Sequence, residues 1–133
     1  PSRGKVKYHS FNLSQAQHDV DVYNDSCISI FSNNTNLKKK KYSSEKSLNS
    51  IVIYNFISNK KRLFNKTKFS KFKINTEYQG LCEIIDENNF MVEETAAGIV
   101  YIFENGNTKT FFRKNTNNEV SIVNWSRLTK TNN

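Results

Sequence analysis

The sequence predicts an all-β protein built from antiparallel four-stranded blades, and three observations carry that prediction. Apolar residues recur two apart along most of the chain, the period of side chains that alternate across a strand. Asn, Asp and Gly punctuate these runs at short intervals, as turns between strands require. Ten Phe and six Tyr, together with many β-branched residues, favour a pleated, half-buried surface. No window of about 11 or more residues carries a helical period of apolar positions.

Taken in order, Val6-Lys7-Tyr8 opens a first short strand and His18 to Val22 a second. Asn24-Asp25 then turns the chain into Cys27-Ile28-Ser29-Ile30-Phe31, which makes a hairpin. The lysine-rich stretch from Ser32 to Ser50 reads as a long exposed loop. A strand over Ile51 to Ile57 follows, then a turn at Ser58 to Lys61, then a strand over Arg62 to Phe64. After a second polar, basic stretch at 65–79 the same grammar restarts. Gly80 to Ile85 is a strand, Asp86 to Asn89 a turn, and Phe90 to Glu94 the returning strand. Ala97-Gly98 breaks the chain before Ile99 to Phe103, and Asn105-Gly106 is the strongest hairpin signal before Thr108 to Arg113. A final strand is predicted over Val120 to Trp125.

Residues 18–64 and 80–113 therefore read as two copies of one four-stranded unit. Repeated four-stranded antiparallel units are the pattern of a β-propeller, and a repeat of about 40–50 residues agrees with it. A two-sheet sandwich with turns at similar spacing fits the same strands. Two blades plus flanking strands form only a sector, since propellers close with about four blades or more. Residues 1–133 are accordingly expected to form a single all-β region, with units at about 15–69 and 77–128. That region would be the C-terminal part of a longer propeller, a cleaved chain that needs its other part, or one protomer of a ring. Its partners would be the remaining propeller blades or a second chain.

Hydrophobic residues make up 36% of the chain, so its core is thin and leans on the aromatic side chains. The formal charge of +8 would suit an anionic partner. Most of the excess lies in Lys38-Lys39-Lys40-Lys41 and between Lys60 and Lys73, whereas residues 77–104 are acidic. No nucleic-acid motif accompanies the lysines, so a solvated loop is the favoured reading and nucleic-acid binding the weaker one. Cys27 and Cys82 are the only cysteines, and two such residues form neither a metal-ligand set nor a disulfide framework. No metal or other cofactor is expected. No apolar run is long enough to cross a bilayer as a helix.

Particular residues carry a resemblance. Gln17-His18-Asp19, the turn at Asn24-Asp25, and Ile28 to Asn34 together resemble the "QHD … dG.illFdN" stretch of the bacterial arylsulfotransferase (aryl sulfate sulfotransferase) family. Gly80 to Glu94, followed by Ala97 to Phe103, resembles the next blade of that family, and Asn124-Trp125-Ser126-Arg127 resembles a short motif near its C-terminus. These stretches span most of residues 15–128, and their order is more specific than any one alone.

The resemblance implies a six-bladed propeller that moves a sulfuryl group between phenolic compounds through a sulfated histidine, without a nucleotide sulfate donor. It also implies a periplasmic or secreted protein. A neutral imidazole is nucleophilic near pH 7, and its sulfated form can pass the group on. The oxygens of the moving group need cations or N–H donors close by. On this resemblance His18 is the catalytic histidine, with Asn33, Asn34, Lys38 and Arg127 as substrate-binding residues. Catalytic members place an arginine just after the turn. Residues 31–37 hold none, and Lys38 is the nearest cation.

Other readings stay open. His18 could instead start a strand, bond to Asp19 or line a channel, and Arg127 could pair with an acid across a blade. Trp125 reads as a packing anchor. Glu93, Glu94 and Glu104 could supply a carboxylate pair, while Glu83 and Asp86 read as solvent-facing. A non-catalytic propeller that binds a ligand or a protein is the alternative function.

Overall fold

A computed structural model describes residues 16–34, 48–76, 79–112 and 126–128. The first sheet is a meander of β1 (Gln17–Asn24), β2 (Cys27–Ser32), β3 (Ser50–Asn55) and β4 (Lys60–Phe64). The second repeats it with β5 (Leu81–Ile84), β6 (Phe90–Glu94), β7 (Ile99–Glu104) and β8 (Asn107–Phe112). Every pairing is antiparallel. The chain leaves the outer strand β4 and returns so that β5 touches β1, the order of neighbouring propeller-like blades. The strands predicted at 6–8 and 120–125 lie outside the described residues.

Alternation explains where the core sits. Opposed residues in antiparallel strands share a face, so Phe31, Ile51 and Phe64 line up on one side of the first sheet. Val92 with Tyr101, and Phe90 with Phe103, line up likewise on the second. These two faces meet in one buried cluster that also takes in Cys27, Ile53, Phe69, Ile74 and Cys82. Phe64 meets Phe90 edge-on across the sheets at 5.0 Å, and Phe90 stacks on Phe103 at 4.4 Å. Aromatic pairs in such geometry add about 0.5–1.5 kcal/mol each beyond their buried area. Both cysteines are buried and unpaired, as small apolar residues.

Three expectations are corrected. The stretch 65–79 contains a helix, α1 (Lys66–Phe72), framed by Asn65 and Lys73 in left-handed conformation. Seven residues are too few to show a periodic signal, and tertiary packing makes the helix. Phe69 is buried in the core, and Phe72 packs on Tyr101 and Phe103 at 5.8 and 5.5 Å. The basic character of this stretch is partly absorbed there too, since Lys68 Nζ lies 4.7 Å from the Phe103 ring centre. Second, β3 ends at Asn55, not Ile57. The Asn55 side-chain oxygen accepts the N–H groups of Ile57 and Ser58 and folds the chain into a turn, leaving Ile57 exposed and Lys60 and Lys61 in β4. Third, the predicted loop 32–50 ends in a buried anchor at Asn49.

Turn chemistry follows the sequence closely elsewhere. Asn24 accepts the Ser26 N–H, and the Asp86 carboxylate accepts both Asn88 and Asn89 N–H groups. Those bonds hold the Asp86 carboxyl below its ordinary range, the Asn89 side-chain bond contributing most. Asn105 and Gly106 both take positive φ, +48° and +84°, the requirement of a tight hairpin turn.

Candidate functional site

The candidate site begins with a fault in β1. His18 lies opposite Phe31 and Val20 opposite Ile30, so Asp19 is an extra residue with no partner of its own. Asp19 has φ +47°, a left-handed conformation that Asp tolerates better than most side chains. The bulge changes what His18 faces. Strict alternation would put His18 on the face of Val20 and Val22; the extra residue moves it to the face of Phe31, which is the side shared with the second sheet. The imidazole is exposed at the strand start and makes no hydrogen bond among the described residues, to Asp19 or otherwise.

Asp19 reaches across instead. Its Oδ2 accepts the backbone N–H of Cys82 in β5 at 2.9 Å, tying the first strands of the two sheets together. Burial pushes its carboxyl up, the Cys82 N–H opposes this, and neighbouring Asp21 adds to the rise. The Arg127 guanidinium is close enough to act against it as well. The same surroundings, burial foremost, push the Cys82 thiol far up, so it stays a neutral thiol.

Arg127 is exposed and comes to this place through its neighbours. The Ser126 N–H donates to Glu93 Oε2 at 2.8 Å and the Leu128 N–H to Glu83 Oε2 at 2.6 Å. Two alternate amides are thus fixed to two carboxylates of the second sheet, and Arg127 between them lies near Asp19 and Cys82. Glu83, expected to face solvent, is half-buried because it serves this contact.

Asn33 and Asn34 sit at the end of β2, beside the start of β1, and so share the His18 end of the first sheet. Their amides are occupied. Asn33 Nδ2 donates to the carbonyls of Thr76 and Gln79 at 2.8 and 2.7 Å. Asn34 Nδ2 donates to the Leu48 carbonyl and to Ser50. Asn49, which sequence reasoning missed, completes the knot by donating to the Asn33 and Thr76 carbonyls and accepting the Thr76 N–H. Asn33 Oδ1 is buried with no donor among the described residues. Nothing local in the sequence marks Asn49, because both its partners are distant in the chain. Lys38, Trp125 and Lys39 to Lys41 lie outside the described residues.

The three glutamates offered as an acid–base pair do not form one. Glu93 and Glu94 are adjacent in β6 and project to opposite faces. Glu93 is fully buried and accepts from Thr95 and Ser126. Glu94 accepts the Asn75 N–H and the Tyr101 hydroxyl, and burial raises its carboxyl. Glu104 is on the surface with Lys109, at 3.1 Å. Among the described residues no cluster of His, Cys, Asp and Glu could hold a metal ion, and no helix is long and apolar enough to cross a membrane.

The site as a whole is an exposed imidazole on the edge strand β1, with an asparagine knot at its end of the sheet and a guanidinium whose charge acts on the next residue. No curated protein and no solved structure shows a significant match to this chain. The family model for arylsulfotransferase (ASST) does match, over residues 4–114, which takes in both sheets and His18. The chain belongs to the arylsulfotransferase family.

Proposed function

We propose that the protein takes part in sulfuryl transfer between phenolic compounds, with His18 as the nucleophile. The observation that carries this reading is an exposed imidazole, without a hydrogen-bond partner among the described residues, on the first strand of a chain of this family. An imidazole nitrogen attacks sulfur of the aryl sulfate, the bond from sulfur to the aryl oxygen breaks, and the phenolate leaves and is protonated. The acceptor phenol oxygen then attacks the same sulfur, the N–S bond breaks, and the acceptor's proton passes to solvent. Each step develops charge on the sulfuryl oxygens and so needs a cation. Residues 31–34 supply none, and Arg127, whose charge acts on neighbouring Asp19, is the side chain proposed to do so. Its planar fork suits a sulfate better than the ammonium of Lys38.

In this reading Asn33 and Asn34 serve substrate binding indirectly, by fixing the chain around His18, since their amide groups already have partners. The remaining blades, whether in the same polypeptide or a second chain, would complete the site. The alternative, a binding module without catalysis, is favoured by the absence of a cation from the turn after Phe31. Aryl sulfate turnover by the complete protein separates the two. The His18→Ala variant is expected to lose turnover by about 10³-fold or more, as nucleophile removal does; equal turnover in both proteins rules His18 out.

A further inference from the structure

We propose that Asp19 is the positioning residue for His18, and that it works by holding the bulge that turns the imidazole toward the second sheet. The proposal rests on the reading of His18 as nucleophile and adds what places it. Three observations converge on Asp19. It is the extra residue at which the β1 register shifts, so its presence decides which face His18 occupies. Its backbone is left-handed, at φ +47°, a conformation that β-branched residues resist. Its carboxylate is anchored to the Cys82 N–H of the neighbouring sheet at 2.9 Å. A bulge lacking such an anchor could relax into regular pairing, and a one-residue slip would send His18 to the outer face with Val20 and Val22.

Side-chain chemistry separates the two contributions. Asp19→Asn keeps tolerance for the left-handed backbone and an oxygen that can accept from Cys82. Asp19→Gly keeps the backbone alone, and Asp19→Val removes both. Two readouts are made on the complete protein: the cross-strand nuclear Overhauser contacts of His18, and the kcat and KM for an aryl sulfate donor alongside label transfer from aryl [³⁵S]sulfate to the protein. Asp19→Asn is expected to keep the His18–Phe31 contact and to stay within about threefold of wild type, because Asn shares Asp's tolerance of the left-handed region. Asp19→Val is expected to shift His18 opposite Ser32, on the face of Val20 and Ile30, and lower kcat by about 10²-fold with little change in KM, the size of loss that misplacement of a reacting group causes.

A Val variant that keeps the Phe31 contact and wild-type kcat overturns the proposal, as does an Asn variant that falls as far as Val. Should Asp19→Val not fold, Asp19→Gly decides the carboxylate's part: a partial loss of the Phe31 contact supports it, and wild-type behaviour in both readouts overturns it. If the wild-type protein takes up no label, the sulfuryl-transfer reading fails on its own. The contacts of His18 in the three variants then still decide whether Asp19 sets its position.

Discussion

Gly80 shows how little room some single positions leave. Its φ is +100°, and a Cβ there would lie 2.7 Å from the Phe31 ring and 2.8 Å from the Thr76 methyl. Phe31 is packed in the core and cannot swing away. Gly80→Ala is therefore expected to destabilise the fold by roughly 1–3 kcal/mol through strain and overpacking, measurable as a lower midpoint in urea. Tyr101 offers a titration. Burial first, and then the charge of its hydrogen-bond partner Glu94, push its phenol up to about 12. A folded-state value raised above the unfolded one means that the stability is fully present below about pH 10 and is lost as pH rises toward 12. Tyr101→Phe is expected to flatten that alkaline decline, which thermal melts of the two proteins between pH 9 and 12 would compare. An unchanged slope would show that Tyr101 ionises freely.

At the level of elements, short polar segments are held by side chains rather than by ladders. Asn49 links the approach to β3, the end of β2 and the segment before β5 through three bonds. Asn49→Ala leaves buried backbone groups short of partners, at about 1–3 kcal/mol for each group. The expected loss is larger than for a surface pair such as Arg62 with Glu87, whose side chains are about half exposed and which contributes about 1 kcal/mol or less. Denaturant midpoints of Asn49→Ala and Arg62→Ala compare the two directly, and a smaller loss for Asn49 would contradict the anchor. Helix α1 illustrates the same point in apolar terms: two phenylalanines and the contacts of Lys68 hold seven residues that have no helical signature.

At the scale of the molecule, the two sheets are joined by their facing aromatic residues and by the touch of their first strands. Phe90 is central to this, fully buried between Phe64 of one sheet and Phe103 of its own. Phe90→Ala is expected to cost about 3–5 kcal/mol, a large share of the stability of a chain of this size. Unfolding followed by fluorescence and by circular dichroism would show the loss, and a change under 1 kcal/mol would mean the sheets are not held there. Away from that interface, the outer face of β1 displays Val20 and Val22, which are 55% and 82% exposed. They pair with Ile30 and Ile28 on the face away from the aromatic cluster, a face on which Ile30 itself is buried.

Strands, hairpins and most turns were legible in the sequence because their causes are local: a two-residue period, Asn-Gly, and side chains such as Asp86 that bond two or three residues on. The repeat of the four-stranded unit was legible for the same reason, whereas the candidacy of His18 came from the family resemblance. What only the tertiary structure decided depends on residues far apart in the chain. Alternation alone places His18 on the wrong face, and the bulge at Asp19 is understood only through Cys82. Arg127 reaches the neighbourhood of that aspartate through Glu83 and Glu93, and α1 forms because Phe69 and Phe72 have a core to enter. Local chemistry chose the elements; the contacts between the two sheets chose which face His18 occupies and where Arg127 lies.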